Sequence, residues 1–527
     1  MDHPPPHVIP LLGLVVLFLL AWQSARAEDT NPSNDYIDRS LYPKGYGILS
    51  SDHLMFPMDM SDWPVEIDSK RQLLVDDYLV ASRGGLVREW HEAVKHPGNP
   101  VMVGDLPWEN NDGGNQIIPL ELRRDPETGV FRMWYSVRLR YTEPGGVSVR
   151  FPTLYAESDD GVAWRKPNLG VLEYEGSTEN NFVIHGGRIV GLFENAADPD
   201  KRYTALVLLE PEYVEREGYY LYTSPDGLHW TGDRTRCLIP SLQSYTMPQN
   251  GIGDTTIFRY DPVLGQYVCD AKFVLPGKMR CRGQCESDDL IHWTRPHFTL
   301  YPDEHDGPDA QVYGNISFVY ESMWLGLCRV MHTDRTGWKQ VEVQLSVSRD
   351  GRHWSRPADR RQFIALGEPE SWEPDYTDPA HCAPILVGDE WWFFYRGSRH
   401  PERDKKEHPK GYEMAMGLAT VVRDRFASLN GGDEPGVLIT RSLTFSGQAL
   451  FVNAQVAQGG GIKAAVLDVK GEPVDGYGFE DSVPLEGDTT AARMVWSGGR
   501  STVPQVDSHV RLAFELTNAK LYAFWIE

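Results

Sequence analysis

One short turn recurs along the chain at nearly even spacing. It reads Ser158-x-Asp160-Gly161-x-x-Trp164, then Ser224-x-Asp226-Gly227-x-x-Trp230. It continues as Ser287-x-Asp289-Leu290-x-x-Trp293 and Ser348-x-Asp350-Gly351-x-x-Trp354. Successive serines stand 66, 63 and 61 residues apart. A period of this length is the mark of a repeated supersecondary unit. A second turn precedes the first three copies, at Asp125-Pro126, Asp198-Pro199 and Asp261-Pro262.

Each unit reads as a small antiparallel sheet. The Asp-Pro turn joins a first strand to a second, because Pro presets φ and Asp bonds backbone two residues on. The second strand is aromatic and β-branched, as in Phe131–Tyr135 and Tyr267–Asp270. A third strand runs into the Ser-x-Asp-Gly turn, where Gly takes φ > 0, and the Trp begins a short fourth strand. Four strands per repeat, arranged radially, is the β-propeller pattern. A fifth, degenerate unit has strands Cys382–Val387, Trp391–Tyr395 and Glu413–Thr420, with Val421–Phe426 in place of the turn. The apolar segment Gln72–Val80 is an upstream strand and a candidate to close the ring.

The expected fold is therefore all-β: a five-bladed β-propeller followed by a C-terminal β-sandwich, after a cleaved signal peptide. The signal peptide is residues 1–27. Its apolar run Leu11–Trp22 is shorter than the roughly 20 residues a bilayer needs and is followed by Ala25-Arg26-Ala27, a small-residue cleavage signature. An N-terminal extension occupies 28–69, the propeller 70–428, a turn-rich linker 429–439 and the sandwich 440–527. In the last, Val510–Leu516 is apolar at every second position, the period of a half-buried strand. This implies a secreted or periplasmic protein without a membrane span in the mature chain.

A formal net charge of −24 would repel a phosphate backbone and argues against a nucleic-acid partner. The six cysteines include Cys269 and Cys281, which flank a hairpin centred near Leu275-Pro276 and are candidates to face each other. No Cys-x-x-Cys or His/Cys cluster suggests zinc. No cofactor is expected, and a structural calcium is left open.

The leader, the Ser-x-Asp-Gly-x-x-Trp turns and the domain order resemble the five-bladed glycoside hydrolases of families 32, 43 and 68, most of all exported bacterial family 32-like proteins. The resemblance implies carboxylate catalysis on a carbohydrate. Family 32 carries its nucleophile in Trp-Met-Asn-Asp-Pro-Asn-Gly; the nearest stretch here is Asn110-Asn111-Asp112-Gly113-Gly114-Asn115. Its Arg-Asp-Pro motif matches Arg124-Asp125-Pro126, although Asp-Pro recurs at later turns. Its acid/base Glu precedes a Cys, whereas Cys285-Glu286 has the reverse order.

In a propeller, the beginnings of first strands, the ends of second strands and the beginnings of third strands converge on one face. Glycoside hydrolysis needs an acid and a base or nucleophile there. The candidate catalytic carboxylates are Asp112, Asp254, Asp309 and Asp378. The candidate substrate-binding residues are Arg280, Gln311, Tyr313, His381 and Arg396. No metal ligand is assigned. The paired acids Asp76 and Asp77 read as channel residues or as structural caps. The expected activity is an exported glycoside hydrolase working in an axial pocket. The alternatives are a family 130-type phosphorylase, with Arg280, Arg282, Arg396 and Arg399 forming a phosphate pocket, or a non-catalytic carbohydrate-binding propeller.

Overall fold

The computed structural model describes residues 64–111, 114–143, 146–241, 252–275, 279–333, 339–399, 413–505 and 509–527. The signal peptide and most of the extension lie outside the described residues. So does Asp112. Among the described residues the regular structure is β-strand, with 3-10 turns only at Pro199–Lys201 and Ser497–Gly499.

Each repeat unit builds one antiparallel sheet. The first contains Ile118–Arg124, Phe131–Ser136, Thr153–Ser158 and Trp164–Arg165. The second contains Gly187–Glu194, Tyr203–Leu209, Gly218–Ser224 and Thr231–Gly232. The third contains Ile257–Asp261, Gln266–Val274, Arg280–Ser287 and His297–Leu300. The fourth (Ala310–Tyr320, Met323–Thr333, Lys339–Ser348) joins the fifth (Tyr376–Pro379, Glu390–Arg399, Glu413–Val422) through a parallel bridge, Val341 to Tyr376.

The first strands of the first four sheets pack against one another in order. The fifth sheet returns to the first through Glu390–Arg399 against Ile118–Arg124, so the contacts form a closed cycle. The strand that completes the fifth sheet is Val94–Lys95, paired with Ala419 and Thr420. The upstream segment expected there does something else: Gln72 and Leu73 pair with Phe524 and Ala523.

The repeated turns fasten neighbouring sheets. Ser158 Oγ accepts the Gly161 N–H at 2.9 Å, Asp160 Oδ1 accepts two further amides at 2.8 Å, and Trp164 Nε1 donates to the Gly161 carbonyl. Gly161 has φ +74, and a Cβ there would stand 2.7 Å from the Trp392 ring of the fifth sheet. Gly227 has φ +81 and lies equally close to Trp134 of the first sheet. Only glycine meets both demands at once. In the third copy Leu290 takes the same left-handed conformation at φ 65. Asp125 and Asp261 cap their Asp-Pro hairpins through backbone amides, an architectural role.

The first strands of the first, second and fourth sheets each carry a bulge, at Pro119/Glu121, Ile189/Gly191 and Val312/Gly314. A bulge shifts the alternation of side chains by one residue and re-aims those beyond it.

Most strands after residue 427 belong to one eight-stranded sheet that also takes in N-terminal strands, while Leu443–Thr444 pairs separately with Val65–Glu66. Val80–Gly84 pairs with Gly436–Thr440, and Leu86–Trp90 with Ala427–Gly431. The stretch read as a linker, 429–439, thus carries the end of one strand and nearly all of the next. This sheet curls around a core that includes Leu74, Leu438, Val452, Trp496, Leu512 and Phe524. Asp76 belongs to its border with the fourth sheet, where Arg349 grips the carboxylate at 2.7 and 2.9 Å. Burial would raise Asp76, but Arg349 holds it below the usual carboxylate range. Asp77 is taken up by Arg88 and Arg83. The paired acids are structural.

All six cysteines are free thiols. Cys269 lies opposite Cys285, and Cys281 opposite Phe273. The strands pair from Val274 with Arg280 outward, so each cross-strand partner lies four residues further along than a hairpin centred near Leu275-Pro276 implies. The expected pairing of Cys269 with Cys281 is therefore corrected.

Candidate active site

A cavity of about 530 Å³ opens where the first four sheets and the fifth converge. Its lining includes Ile118, Phe151, Arg188, Glu210, Asp254, Arg280, Tyr313, Arg329, Asp378, His381 and Arg396. These come from the strand starts and ends that the propeller pattern places on one face.

Asp254 sits just before the first strand of the third sheet. It is paired with Lys272 from the second strand of that sheet and lies 3.9 Å from Arg188 of the second sheet. Burial would push its carboxyl up; Lys272, Arg188 and Arg280 outweigh it and hold the group at about 2. Asp254 is ionised at any physiological pH.

Glu210 follows the last residue of Tyr203–Leu209 in the second sheet. Its Oε1 accepts the Phe151 amide at 2.8 Å, while Oε2 is buried without a hydrogen-bond partner. Burial, reinforced by Glu212 and Glu217, raises its carboxyl to about 7 against the pull of Arg188. Arg188 thus acts on two carboxyls whose proton affinities are far apart. That division is what lets one acid donate a proton while another stays charged.

Asp378 lies in the fifth sheet between two guanidiniums. Arg329 donates at 2.7 Å and Arg396 at 2.5 Å. Burial opposes ionisation, but the two arginines keep Asp378 below the usual range. Doubly gripped, it fixes the arginines more than it offers itself as a base. His381 is half-buried; desolvation, with Arg329 adding to it, lowers its ring to about 3. The imidazole is neutral, and its Nδ1 is buried without a hydrogen-bond partner.

Arg280 donates to Gln311 Oε1 at 2.6 Å. The Tyr313 ring lies beneath two guanidiniums, Arg329 at 5.2 Å and Arg280 at 6.0 Å. Arg396 lies 5.6 Å from the Tyr376 ring. Tyr313 and Tyr376 are thus aromatic faces already aligned with cations, a geometry worth about 0.5–2 kcal/mol per contact.

Of the expected residues, Asp254, Asp378, Arg280, Tyr313, His381 and Arg396 line this cavity. Gln311 stands behind Arg280. Asp309 is set aside from the lining and faces His332 Nδ1 at 3.4 Å. Arg282 turns away to Asp270, and Arg399 is held by the carbonyls of Pro369 and Ser371. Of the expected arginine set, only Arg280 and Arg396 reach the cavity. Glu286 accepts from Thr294 Oγ1 at 2.9 Å, outside the lining.

Glu210, Arg188 and Lys272 were not anticipated. The same strand-end rule, applied to the second sheet, leads to the start of Gly187–Glu194 and the residue after Leu209. Among the described residues no three His, Cys, Asp or Glu side chains converge as a metal cage. Asp306, an acid that a calcium ion would use, is engaged by Arg356 at 2.5 and 2.9 Å. No described helix is long and apolar enough to cross a membrane.

No known family profile matches the chain, and no curated protein resembles it. Among solved structures, the chain is similar to an N-acetylgalactosamine deacetylase from F. plautii at 14% identity and a TM-score of 0.42, covering 65% of this chain and 97% of that one. It is similar to a β-1,2-mannobiose phosphorylase from Listeria innocua at 12% identity and 0.41, covering 62% and 96%. A thermostable family-43 glycoside hydrolase overlaps at 12% identity and 0.40, covering 64% and 96%. At this overlap the chemistry is read from the cavity alone.

Proposed function

We propose that the protein is an exported glycoside hydrolase, that its five sheets form a β-propeller, and that the cavity on their shared axis is its active site. The eight-stranded sheet, folded over its own core, serves as the accessory sandwich. The observation that carries the reading is a shared cavity holding Glu210, at about 7, and Asp254, at about 2, both acted on by Arg188. Glu210 is the general acid, still substantially protonated around neutral pH and able to donate to a leaving glycosidic oxygen. Asp254 is the ionised partner, acting as base on a water or as nucleophile at the anomeric carbon. Asp378 is a positioning residue that sets Arg329 and Arg396. Tyr313 and Tyr376 offer faces to a sugar ring, and the neutral His381 closes the inner end.

The cavity volume suits a ligand of one to two sugar residues at its inner end, with the rest of a chain extending outward. The acidic charge of the protein as a whole disfavours nucleic acid as the occupant.

The test is turnover on a panel of polysaccharides and aryl glycosides, comparing the native protein with Asp254→Asn and Glu210→Gln. The expected result is loss of activity in both on whichever substrate the native protein cleaves. Full activity in both variants removes the assignment. Turnover that depends on added phosphate, with a sugar phosphate as product, establishes phosphorolysis, the second reading that Arg280 and Arg396 favour.

A further inference from the structure

We infer that a second cavity, at the other end of the strands that carry the candidate active site, is a binding site for an uncharged sugar residue, held by the Tyr260 ring and by Glu121 and Arg259. Ile118, Arg188, Thr255 and Tyr313, at or just before the early part of four first strands, line the candidate active site. Further along the same strands, Glu121, Leu192, Arg259 and Phe318 line a separate cavity of about 610 Å³. His381 lines both, which sets the two end to end along these strands. The bulge at Pro119/Glu121 falls between Ile118 and Glu121 and re-aims the latter.

Two buried polar atoms of this second cavity stand without a hydrogen-bond partner. One is Oε2 of Glu121, a residue 2% exposed. Arg123 Nη2 comes within 3.2 Å of it but donates to the Leu192 carbonyl. The other is Nη2 of Arg259, whose Nε donates to Ser317 Oγ at 2.7 Å and whose Nη1 donates to Asp261 Oδ2 at 2.6 Å. Burial raises the Glu121 carboxyl to about 7 against the pull of Arg123, so around neutrality it offers an O–H as well as an acceptor oxygen. Leaving such groups unpaired is costly, and a ligand that pairs them removes that cost.

Aromatic side chains line the same cavity. Phe193, Tyr267 and Tyr260 meet edge to face in series, with ring centroids 4.9 and 5.3 Å apart. Tyr260 ends the series 51% exposed, leaving ring surface open to a ligand. The occupant must therefore lie against an aromatic face and also both donate and accept hydrogen bonds. A sugar ring does so, because its C–H face is apolar and each hydroxyl is donor and acceptor together. An apolar ligand would seal Glu121 Oε2 and Arg259 Nη2 away unpaired. The site lies outside the catalytic cavity, so it stands whether or not Glu210 and Asp254 cleave glycans.

Binding is measured by calorimetry on the full chain carrying Glu210→Gln, which keeps a bound glycan whole, with xylohexaose, mannohexaose, arabinohexaose and cellohexaose as probes. At least one hexaose binds, and Tyr260→Ala weakens that binding ten-fold or more while keeping the native melting temperature. Ala383→Trp, which sets a large ring on the exposed rim of the cavity, weakens it likewise and decides the matter should Tyr260→Ala lose its fold. In the otherwise native chain neither substitution changes turnover of small aryl glycosides. No binding of any hexaose, or binding indifferent to these substitutions in folded protein, overturns the inference. Hexaose binding that needs Tyr260 in a protein that cleaves no glycan sinks the hydrolase reading and leaves this one. Cleavage together with binding indifferent to Tyr260 and Ala383 does the reverse.

Discussion

Trp134 donates its indole N–H to the carbonyl oxygen of Gly227 at 2.7 Å, across 93 residues of chain. The donor sits on the second strand of the first sheet and the acceptor in the turn of the second. In its first two copies the turn motif is therefore also a fastening between neighbouring sheets.

Gly227→Ala forces a Cβ to within 2.7 Å of the Trp134 ring at a backbone conformation that alanine disfavours. A loss of about 1–3 kcal/mol follows, read as a lowered midpoint in denaturant. Gly265→Ala, at an equally left-handed φ but with open space around its Cβ, isolates the backbone share of that loss.

Activity will show a basic limb near pH 7. As pH rises through the value to which Glu210 is lifted, the acid is lost and kcat/KM falls. Asp254, held at about 2, puts the acidic limb far below the working range. Glu210→Gln lowers kcat roughly 10²- to 10⁴-fold and abolishes the basic limb. A pH–rate profile of both proteins checks this.

Stability should fall with rising pH through two groups, in successive windows. Glu210 binds its proton more tightly folded than unfolded, so stability is highest below about 4.5 on its account and falls as pH rises towards 7. His332 is raised to about 9: burial lowers it, but Asp309 and Glu342 more than compensate. Its contribution is complete below about 6.5 and disappears as pH rises through about 9. Denaturation midpoints from pH 4 to 10 for the native protein, Glu210→Gln and His332→Gln resolve the two. Glu210→Gln flattens the slope between pH 4.5 and 7, and His332→Gln flattens it between 6.5 and 9.

Thiol reagents should report the corrected register. Cys269, Cys281, Cys285 and Cys328 are buried, and burial pushes the Cys281 thiol up to about 12. In the folded protein half-buried Cys237 reacts first, Cys382, whose thiol is also pushed up to about 12, follows slowly, and all six react in denaturant. Rapid modification of Cys281 in native conditions would contradict the packing of the third sheet.

The sequence revealed what neighbouring residues encode together. Ser, Asp, Gly and Trp within seven positions form one hydrogen-bonded turn, so the all-β character and the order of the repeat units were legible. Asp254 was legible because it opens a strand and has no counterpart in the repeat. Glu210 was missed because its proton affinity comes from burial and from the charges of Arg188, Glu212 and Glu217, which no local motif encodes. Val94–Lys95 has two residues, too few for any periodicity. The cysteine partners slipped because Pro276-Gly277 marks the turn without fixing its length, and each residue by which a hairpin's centre moves shifts the cross-strand partner by two.

The N-terminal strands Gln72–Leu73, Val80–Gly84 and Leu86–Trp90 share a sheet with the 16-residue strand Arg511–Ile526 near the end of the chain. During synthesis those strands stay without this central partner until residues 511–526 have been made, and Val94–Lys95 must wait for Ala419 and Thr420. The first strands to leave the ribosome are thus among the last to find their places.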